Sequence, residues 1–99
     1  KMPDRLPGEV IINLTREGDI ILNQQKLTTL QLKERLVRLA RFFPGQPVVL
    51  RADNQTVYEN VMGVIDICRQ ADIWNISFAT RGDEANAAAE GATDGGAAR

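Results

Sequence analysis

Side chains that could do chemistry are few in this chain and lie far apart. There is no histidine and only one cysteine, Cys68, so neither a histidine-based catalytic triad nor a histidine or cysteine metal site can be assembled. Glycine-rich phosphate-binding patterns are also missing. Asp53 is the only acid at a predicted strand end that faces a loop, whereas a catalytic carboxylate pair needs a second acid beside it. We therefore expect no enzymatic activity, no metal and no cofactor.

The overall charge excludes a second class of function. The chain has 12 Lys and Arg against 13 Asp and Glu, and residues 1–80 hold 10 basic and 9 acidic side chains. Such a balance is not the electrostatic footprint of a nucleic-acid-binding protein. A membrane-spanning helix needs about 20 consecutive apolar residues, and no run of that length is present. Because the chain begins with Lys1 rather than Met, we expect it to be part of a longer protein.

The first elements that the pattern predicts are a hairpin and a helix. Ile12 and Leu14 alternate with polar residues, the turn residues 17–19 follow, and a second β-rich run covers 20–23. Thr28 is the predicted N-cap of the helix, with Gln31 as its capping-box partner, and Leu27 can pack on Leu32 as a hydrophobic staple. The apolar stripe of this helix comprises Leu32, Leu36, Leu39 and Phe43, and Pro44-Gly45 ends it.

The stretch PVVLRADNQTVYENVMGVID predicts a buried strand joined by a polar loop to a second helix. The strand contains Val48, Val49 and Leu50 and ends near Asp53. Thr56 is the expected N-cap, with Glu59 at the reciprocal position. The predicted apolar stripe comprises Val57, Val61, Val64, Ile65 and Cys68, widened by Tyr58 and Met62. After Ala71-Asp72, a last strand alternates Trp74, Ile76 and Phe78 with Asn75, Ser77 and Ala79.

This order predicts an α+β two-layer sandwich, β-β-α-β-α-β, with a mixed sheet of four strands. Two successive right-handed crossovers place both helices on one face of the sheet. Strand parity predicts that this face carries Ile12, Leu14, Val48, Leu50, Ala52, Ile76 and Phe78. The opposite face is mixed, with Asn13, Thr15, Val49, Arg51, Asn75 and Ser77 joined by Ile11 and Ile21. That mixed face is either solvated or a contact between subunits.

The candidate partner-binding residues cluster around the loop after the third predicted strand. They are Arg51, Asp53, Asn54 and Tyr58. Asp53 has two interpretations: its carboxylate can accept backbone N–H groups in the loop, or it can contact a partner. Tyr58 is likewise either the edge of the core or a recognition residue.

Other conspicuous side chains have simpler interpretations. Cys68 on the apolar stripe is expected to be an inert small hydrophobe, and Trp74 is expected to pack against the second helix. Four basic residues, Lys33, Arg35, Arg38 and Arg41, lie on the first helix and form either a solvated face or a surface for an anionic partner.

The chain divides into three segments. Residues 1–8 carry two prolines and a glycine and are expected to be a linker, and residues 9–80 form the domain. Residues 81–99 contain seven Ala and four Gly and no large apolar side chain, so a disordered tail is expected.

Residues 9–80 resemble the periplasmic domain of the ExbD/TolR biopolymer-transport family. The resemblance is carried by INLTREGDIILN, TTLQLKERL, PVVLRADNQTVYENVMGVIDICRQA and IWNISFAT in this order and spacing. One departure is Ala71-Asp72, where family members usually place Gly after the second helix; Asp tolerates the left-handed conformation better than most residues.

The resemblance implies a single-pass protein of the bacterial inner membrane, with this domain in the periplasm behind a transmembrane helix that the sequence does not include. It also implies a homodimer that works with an ExbB/TolQ-like channel protein. Together they would couple the proton-motive force to TonB or TolA, with peptidoglycan as a further partner in the Tol branch. The proton-coupling aspartate of the family lies in the missing helix, so Asp53 does not have that role.

A second function remains open at this point. A two-layer α/β domain can form a dimer and bind amino acids or metabolites at the seam, which would make the chain a small dimeric regulatory ligand-binding domain.

Overall fold

The hydrophobic pattern of the sequence folds into a five-stranded mixed sheet with both helices packed on one face. The computed structural model describes residues 8–81. Its elements are β1 (Val10–Leu14), β2 (Ile20–Leu22), β3 (Gln25–Leu27), α1 (Thr29–Phe42), β4 (Val48–Asp53), α2 (Tyr58–Gln70) and β5 (Ile76–Arg81). The strands lie in the order β3-β2-β1-β4-β5. Strands β1, β4 and β5 are parallel, whereas β2 is antiparallel to both β1 and β3.

The two crossover connections explain why the helices share a face. The chain passes from β1 through β2, β3 and α1 to β4, the other neighbour of β1, and from β4 to its neighbour β5 by way of α2. Both crossovers move in the same direction across the sheet, so crossovers of the same hand put both helices on one side. The helices contact each other and contribute to one common hydrophobic core. The predicted two-layer α+β class is thus confirmed.

The core lies between one face of the sheet and the two helices. The core residues of β1 and β4 follow the predicted parity: Ile12, Leu14, Val48, Leu50 and Ala52 are all at most 2% exposed. Leu32 and Leu36 of α1, and Val64 and Cys68 of α2, cover them. Ile76 is half-buried against this core, but Phe78 is 52% exposed, because β5 is an edge strand that the helices cover incompletely.

The third strand was missing from the prediction, which gave four strands. After β2, Asn23 and Gln24 adopt positive φ values of 56° and 65° and form a tight turn into β3. The usual Asn-Gly signal of such a turn is absent, because Gln occupies the second position. Gln25 and Lys26 are also exposed, so β3 shows no apolar alternation.

The start of α1 agrees with the prediction. The Thr28 hydroxyl accepts the backbone N–H of Gln31 at 3.1 Å, and the Gln31 side chain accepts the backbone N–H of Thr28 at 2.9 Å. Leu27 and Leu32 are both buried, as a hydrophobic staple requires. The helix ends at Phe42, so Phe43 is its C-cap rather than part of the helical stripe.

The predicted capping of α2 by Thr56 and Glu59 is wrong. The N-cap is Val57, which is 58% exposed rather than part of the buried stripe and makes no side-chain capping bond. The hydroxyl of Thr56 instead accepts a hydrogen bond from the side-chain amide of Asn60 at 3.1 Å. A turn in which the Thr56 N–H donates to the Asp53 carbonyl delays the helix by one residue.

Asp72 occupies the position after α2 where a helix-ending glycine is usual. Asp72 takes the left-handed conformation, with φ at 66°. The N–H of Ile73 donates to the Cys68 carbonyl, and the N–H of Asp72 donates to the Arg69 carbonyl. These two bonds form a Schellman motif, and they confirm that Asp can replace the glycine expected there.

Cys68 is buried, as the sequence predicts, whereas Trp74 is exposed. Burial raises the pKa of the Cys68 thiol to about 11, so the side chain stays protonated at neutral pH and is a poor nucleophile. Trp74 was expected to pack against α2 and to begin the last strand, and both expectations are wrong. It precedes β5, is 73% exposed, and lies over Gly45, where an added Cβ atom would be 3.4 Å from the indole ring.

The two threonines at the helix starts provide a matched stability test. Replacing Thr28 by Ala removes a capping-box bond, and we expect it to lower the free energy of unfolding by about 1 kcal/mol. Thr56→Ala should cost clearly less, because Thr56 caps no helix. Urea denaturation followed by circular dichroism measures both values. An equal or larger loss for Thr56→Ala would mean that Thr56 does cap α2 in solution.

Candidate functional site

The described residues form an apolar groove between α2 and the carboxyl-terminal end of β5. We call it the β5 groove. Its volume is about 390 Å³, and it is lined by Ala52, Asp53, Asn54, Thr56, Tyr58, Val61, Met62, Ile65, Phe78 and Thr80. The groove forms because Phe78 points to the helix side of the sheet at a position that α2 does not cover completely.

The chemistry of the groove suits binding rather than catalysis. Val61, Met62, Ile65 and Phe78 provide an apolar surface, and polar groups are confined to the end near the loop before α2. Tyr58 is 75% exposed and Phe78 is 52% exposed, so two aromatic rings are available to another molecule. Exposed apolar patches of this kind mark contact sites for apolar side chains of a ligand or protein.

The outer edge of β5 runs beside this groove. Within residues 8–81, β4 is the only strand that pairs with β5. The carbonyl of Asn75 accepts from Val48, and that of Arg81 accepts from Asn54, so alternate residues of this segment bond to β4. Backbone groups of successive residues in a strand point to opposite sides. The N–H and C=O groups of Ile76 and Phe78 therefore point away from β4, toward the outer edge of the sheet. An extended peptide could pair with this edge.

Asp53 and Asn54 shape the polar end of the groove. The Asp53 carboxylate accepts the backbone N–H of Gln55 at 2.8 Å, which is the turn role that the sequence suggested for it. The backbone N–H of Asn54 donates to the Arg81 carbonyl at 2.8 Å and so ties the loop to β5. Both residues line the groove, and a contact of either one with a partner remains a prediction.

Of the predicted site residues Tyr58 and Arg51, only Tyr58 lines the β5 groove. The interpretation of Tyr58 as the edge of the core is wrong, because its ring lies in solvent at the start of α2. Arg51 is half-buried on the opposite face of the sheet, in register with Asn13 on one side and Ala79 on the other. The structure thus brings Asp53, Asn54 and Tyr58 together and separates Arg51 from them.

Several groove residues were not recognised as such from the sequence. The sequence places Phe78 on the face toward the helices, without marking it as exposed, and gives Met62 only as a residue that widens a helical stripe. The one available signal was that the last strand of a β-α-β series often lies at a sheet edge, where its inward side chains are less covered. Whether α2 covers Phe78 depends on the position of the helix, which periodicity does not specify.

The opposite face of the sheet is a second candidate contact surface, which we call the open face. Ile11, Ile21 and Val49 are half-buried there and lie on neighbouring strands. Polar interactions surround them: Arg81 donates to the Asn13 side chain at 3.4 Å, and an exposed ion pair joins Lys26 and Asp19 at 3.6 Å. The two interpretations of this face, solvated or intersubunit, both remain open.

The basic residues of α1 do not form one continuous site. Arg35 donates to the side chain of Gln25 at 2.9 Å and thereby links α1 to β3, whereas Arg38 and Arg41 are exposed. No three acidic, histidine or cysteine residues in the described range are placed to hold a metal ion. Among the helices of residues 8–81, none has the length and apolarity that crossing a bilayer requires.

Comparison with known proteins identifies a family match for this fold. The model of the family described as "Biopolymer transport protein ExbD/TolR" matches residues 3–83, which includes every described residue. No curated protein sequence matches the chain.

The dual interpretation of Asp53 can be tested through stability. Asp53→Ala removes the acceptor of the Gln55 N–H and should lower the free energy of unfolding by about 1 kcal/mol. Asp53→Asn keeps a side-chain oxygen and should cost less. Asn54→Ala is the control, since the bond of Asn54 uses its backbone. If urea denaturation shows no loss for Asp53→Ala, the carboxylate has no structural role in the turn.

Proposed function

This chain belongs to the ExbD/TolR family of biopolymer transport proteins, and from that premise we propose that it is the protein-binding domain of an energy-transducing inner-membrane complex. With an ExbB/TolQ-like channel protein, the whole protein would couple the proton-motive force to a TonB-like or TolA-like partner. Family membership favours this function over the regulatory ligand-binding domain that the sequence left open.

The observation that best supports a binding role is the β5 groove beside the outer edge of β5. An extended segment of a partner can add to an exposed sheet edge, where its backbone pairs with the strand and its alternate side chains enter neighbouring pockets. The backbone groups of Ile76 and Phe78 face this edge, and the apolar groove lies on the same side as the Phe78 ring. Backbone pairing would supply affinity, and the groove would select large apolar side chains.

The proposed location follows from the family and not from the described fold. We place the domain in the periplasm, on a linker from a transmembrane helix that precedes Lys1. The proton-coupling aspartate would lie in that helix, so residues 8–81 would receive the motion of the complex and transmit it to a bound partner. Peptidoglycan is a further partner if the complex serves the Tol branch, and the exposed arginines of α1 are then available to it.

Capture of a partner fragment tests the groove directly. We expect the chain to bind the periplasmic region of TonB-like or TolA-like proteins, and Tyr58→Ala and Phe78→Ala each to weaken binding about tenfold, because each removes an exposed aromatic contact. Leu30→Ala is the matched control, since Leu30 is 65% exposed on α1, away from the groove. Binding is measured by isothermal titration calorimetry or biolayer interferometry.

Two outcomes would contradict this proposal. One is that neither fragment binds the wild-type chain at micromolar concentration. The other is that binding occurs but falls equally for the Leu30 control and the groove variants, which would place the contact elsewhere. Capture of only one fragment would assign the protein to the corresponding branch.

We further propose that the open face forms the homodimer expected of the family. This would leave the β5 groove accessible in both subunits, and it would remove the half-buried side chains Ile11, Ile21 and Val49 from water. Their aliphatic groups lie on three adjacent strands and can pack against the same surface of a second copy.

Sedimentation equilibrium tests the dimer. The wild-type chain should associate at high micromolar concentration, and Val49→Lys should be monomeric, because a charged side chain would be buried at the centre of the contact. Leu30→Lys adds the same charge on the helix side and should leave association unchanged. A wild-type monomer at every concentration, or loss of the dimer with the Leu30 variant, would contradict this use of the open face.

A further inference from the structure

The end of the domain opposite the β5 groove carries a second surface, which we call the aromatic pole. Here both helices end and the three parallel strands begin. The exposed residues that define it are Arg41, Phe42, Arg69 and Trp74. Arg41, Arg69 and Trp74 line a cleft of about 680 Å³ between the last turns of the two helices and the loops that follow them, and Phe42 lies at the end of α1 at the same end of the domain. The proposed protein-binding site does not use this surface.

Two large aromatic side chains are held in solvent at the pole. Trp74 is 73% exposed, and Phe42, the last residue of α1, is 58% exposed. The indole ring rests on Gly45, and the Asn75 side chain donates to the Gly45 carbonyl at 2.9 Å, which holds the supporting loop in place. Trp74 therefore has a supported ring on one side and solvent on the other. Tryptophan prefers the interface between water and lipid when it is exposed in this way.

Two arginines complete the surface. Arg41 lies in the last turn of α1 and Arg69 in the last turn of α2, and both line the cleft. Neither forms an ion pair within residues 8–81. Arginine in this position also complements the dipole of its own helix, but that interaction leaves the guanidinium donors free for a phosphate. Glu9 and Asp72 lie at the same end of the domain and offset the charge of the two arginines at long range. An anion is therefore attracted mainly through direct contact with the guanidinium groups.

The chain enters the fold at this pole. The side-chain amide of the buried Gln46 donates to the Gly8 carbonyl at 3.2 Å and fixes the point of entry beside the cleft. Under the proposed function the membrane anchor precedes this point of entry, so the chain from the anchor reaches the domain at the aromatic pole.

We propose that the aromatic pole docks on an anionic phospholipid surface. Trp74 and Phe42 enter the interfacial region, and Arg41 and Arg69 bind lipid phosphates. Docked in this way, the domain directs its β5 groove away from the bilayer, toward partners that reach it from the periplasmic side. The proposal rests on the proposed function only for the position of the anchor, since lipid binding itself follows from the described surface.

The shape and lining of the cleft favour lipid over a polysaccharide or an acidic protein. Its lining combines four apolar side chains, Val37, Ala40, Phe43 and Ile73, with the charged Arg41, Arg69 and Asp72, and the polar Gln46, Gln70 and Asn75 also line it. An amphiphile with an anionic head and an apolar body matches that distribution. A glycan has no acyl chain to cover the four apolar side chains of this lining.

The single tryptophan of the chain makes the test site-specific. The 99-residue chain is mixed with vesicles of phosphatidylcholine alone and of phosphatidylcholine with 30% phosphatidylglycerol, and both Trp74 fluorescence and co-sedimentation are recorded. We expect a blue shift of the emission and co-sedimentation with the anionic vesicles. Arg41→Gln/Arg69→Gln should weaken vesicle binding about tenfold or more and should abolish the blue shift.

The control variant Arg16→Gln/Lys26→Gln removes the same charge from exposed positions outside the pole and should bind as the wild type does. Circular dichroism of both double variants verifies that they fold.

Three results with vesicles would overturn the proposal: no binding to anionic vesicles, binding without a blue shift of Trp74, or equal weakening by the control variant. Sedimentation with purified peptidoglycan but not with vesicles would also overturn it and would assign the pole to a polysaccharide. Capture of the TonB-like or TolA-like fragment is measured in the same preparations without vesicles, so failure of lipid binding is distinguished from failure of the proposed function.

Discussion

One layer of packed side chains between the sheet and the helices holds this domain together. Ile12 and Leu50 on the two central strands, and Leu32 and Leu36 on α1, are at most 1% exposed. Truncating a buried leucine or isoleucine to alanine typically costs about 2 to 5 kcal/mol, a large fraction of the stability of a small domain. Every other feature of the molecule depends on this layer, because it fixes the positions of α1 and α2 on the sheet.

The same layer explains where the domain can bind other molecules. Two helices cover the centre of a five-stranded sheet well, but they cover its edge strand β5 incompletely. The Phe78 ring, which would be core on a central strand, becomes the wall of a groove on this one. The binding surface is therefore a consequence of covering five strands with two helices, and no special motif is needed to build it.

The parallel arrangement of β1, β4 and β5 separates two surfaces in space. The loop at the carboxyl end of β4 forms the polar end of the β5 groove. The loops at the amino ends of β4 and β5, together with the carboxyl-terminal turns of α1 and α2, form the aromatic pole. A domain built this way can hold a partner at one end and be oriented by a membrane at the other. The proposed transport function and the proposed lipid docking thus use opposite ends of one rigid layer.

The sequence alone determined the two-layer architecture, because capping residues and apolar periodicity report both helices and most of the strands. The Thr28–Gln31 capping box, the alternation around Ile12 and Leu50, and Asp72 in place of a helix-ending glycine all had the predicted outcome, and the motif order indicated the family. Only the tertiary structure decided which apolar residues stay in water. Tyr58, Trp74 and Phe78 carry the same periodic signal as buried residues, and their exposure depends on how far each helix extends over the sheet. The strand β3 was missed for a related reason: its pairing with β2 provides its structure, and its exposed side chains leave no pattern in the sequence.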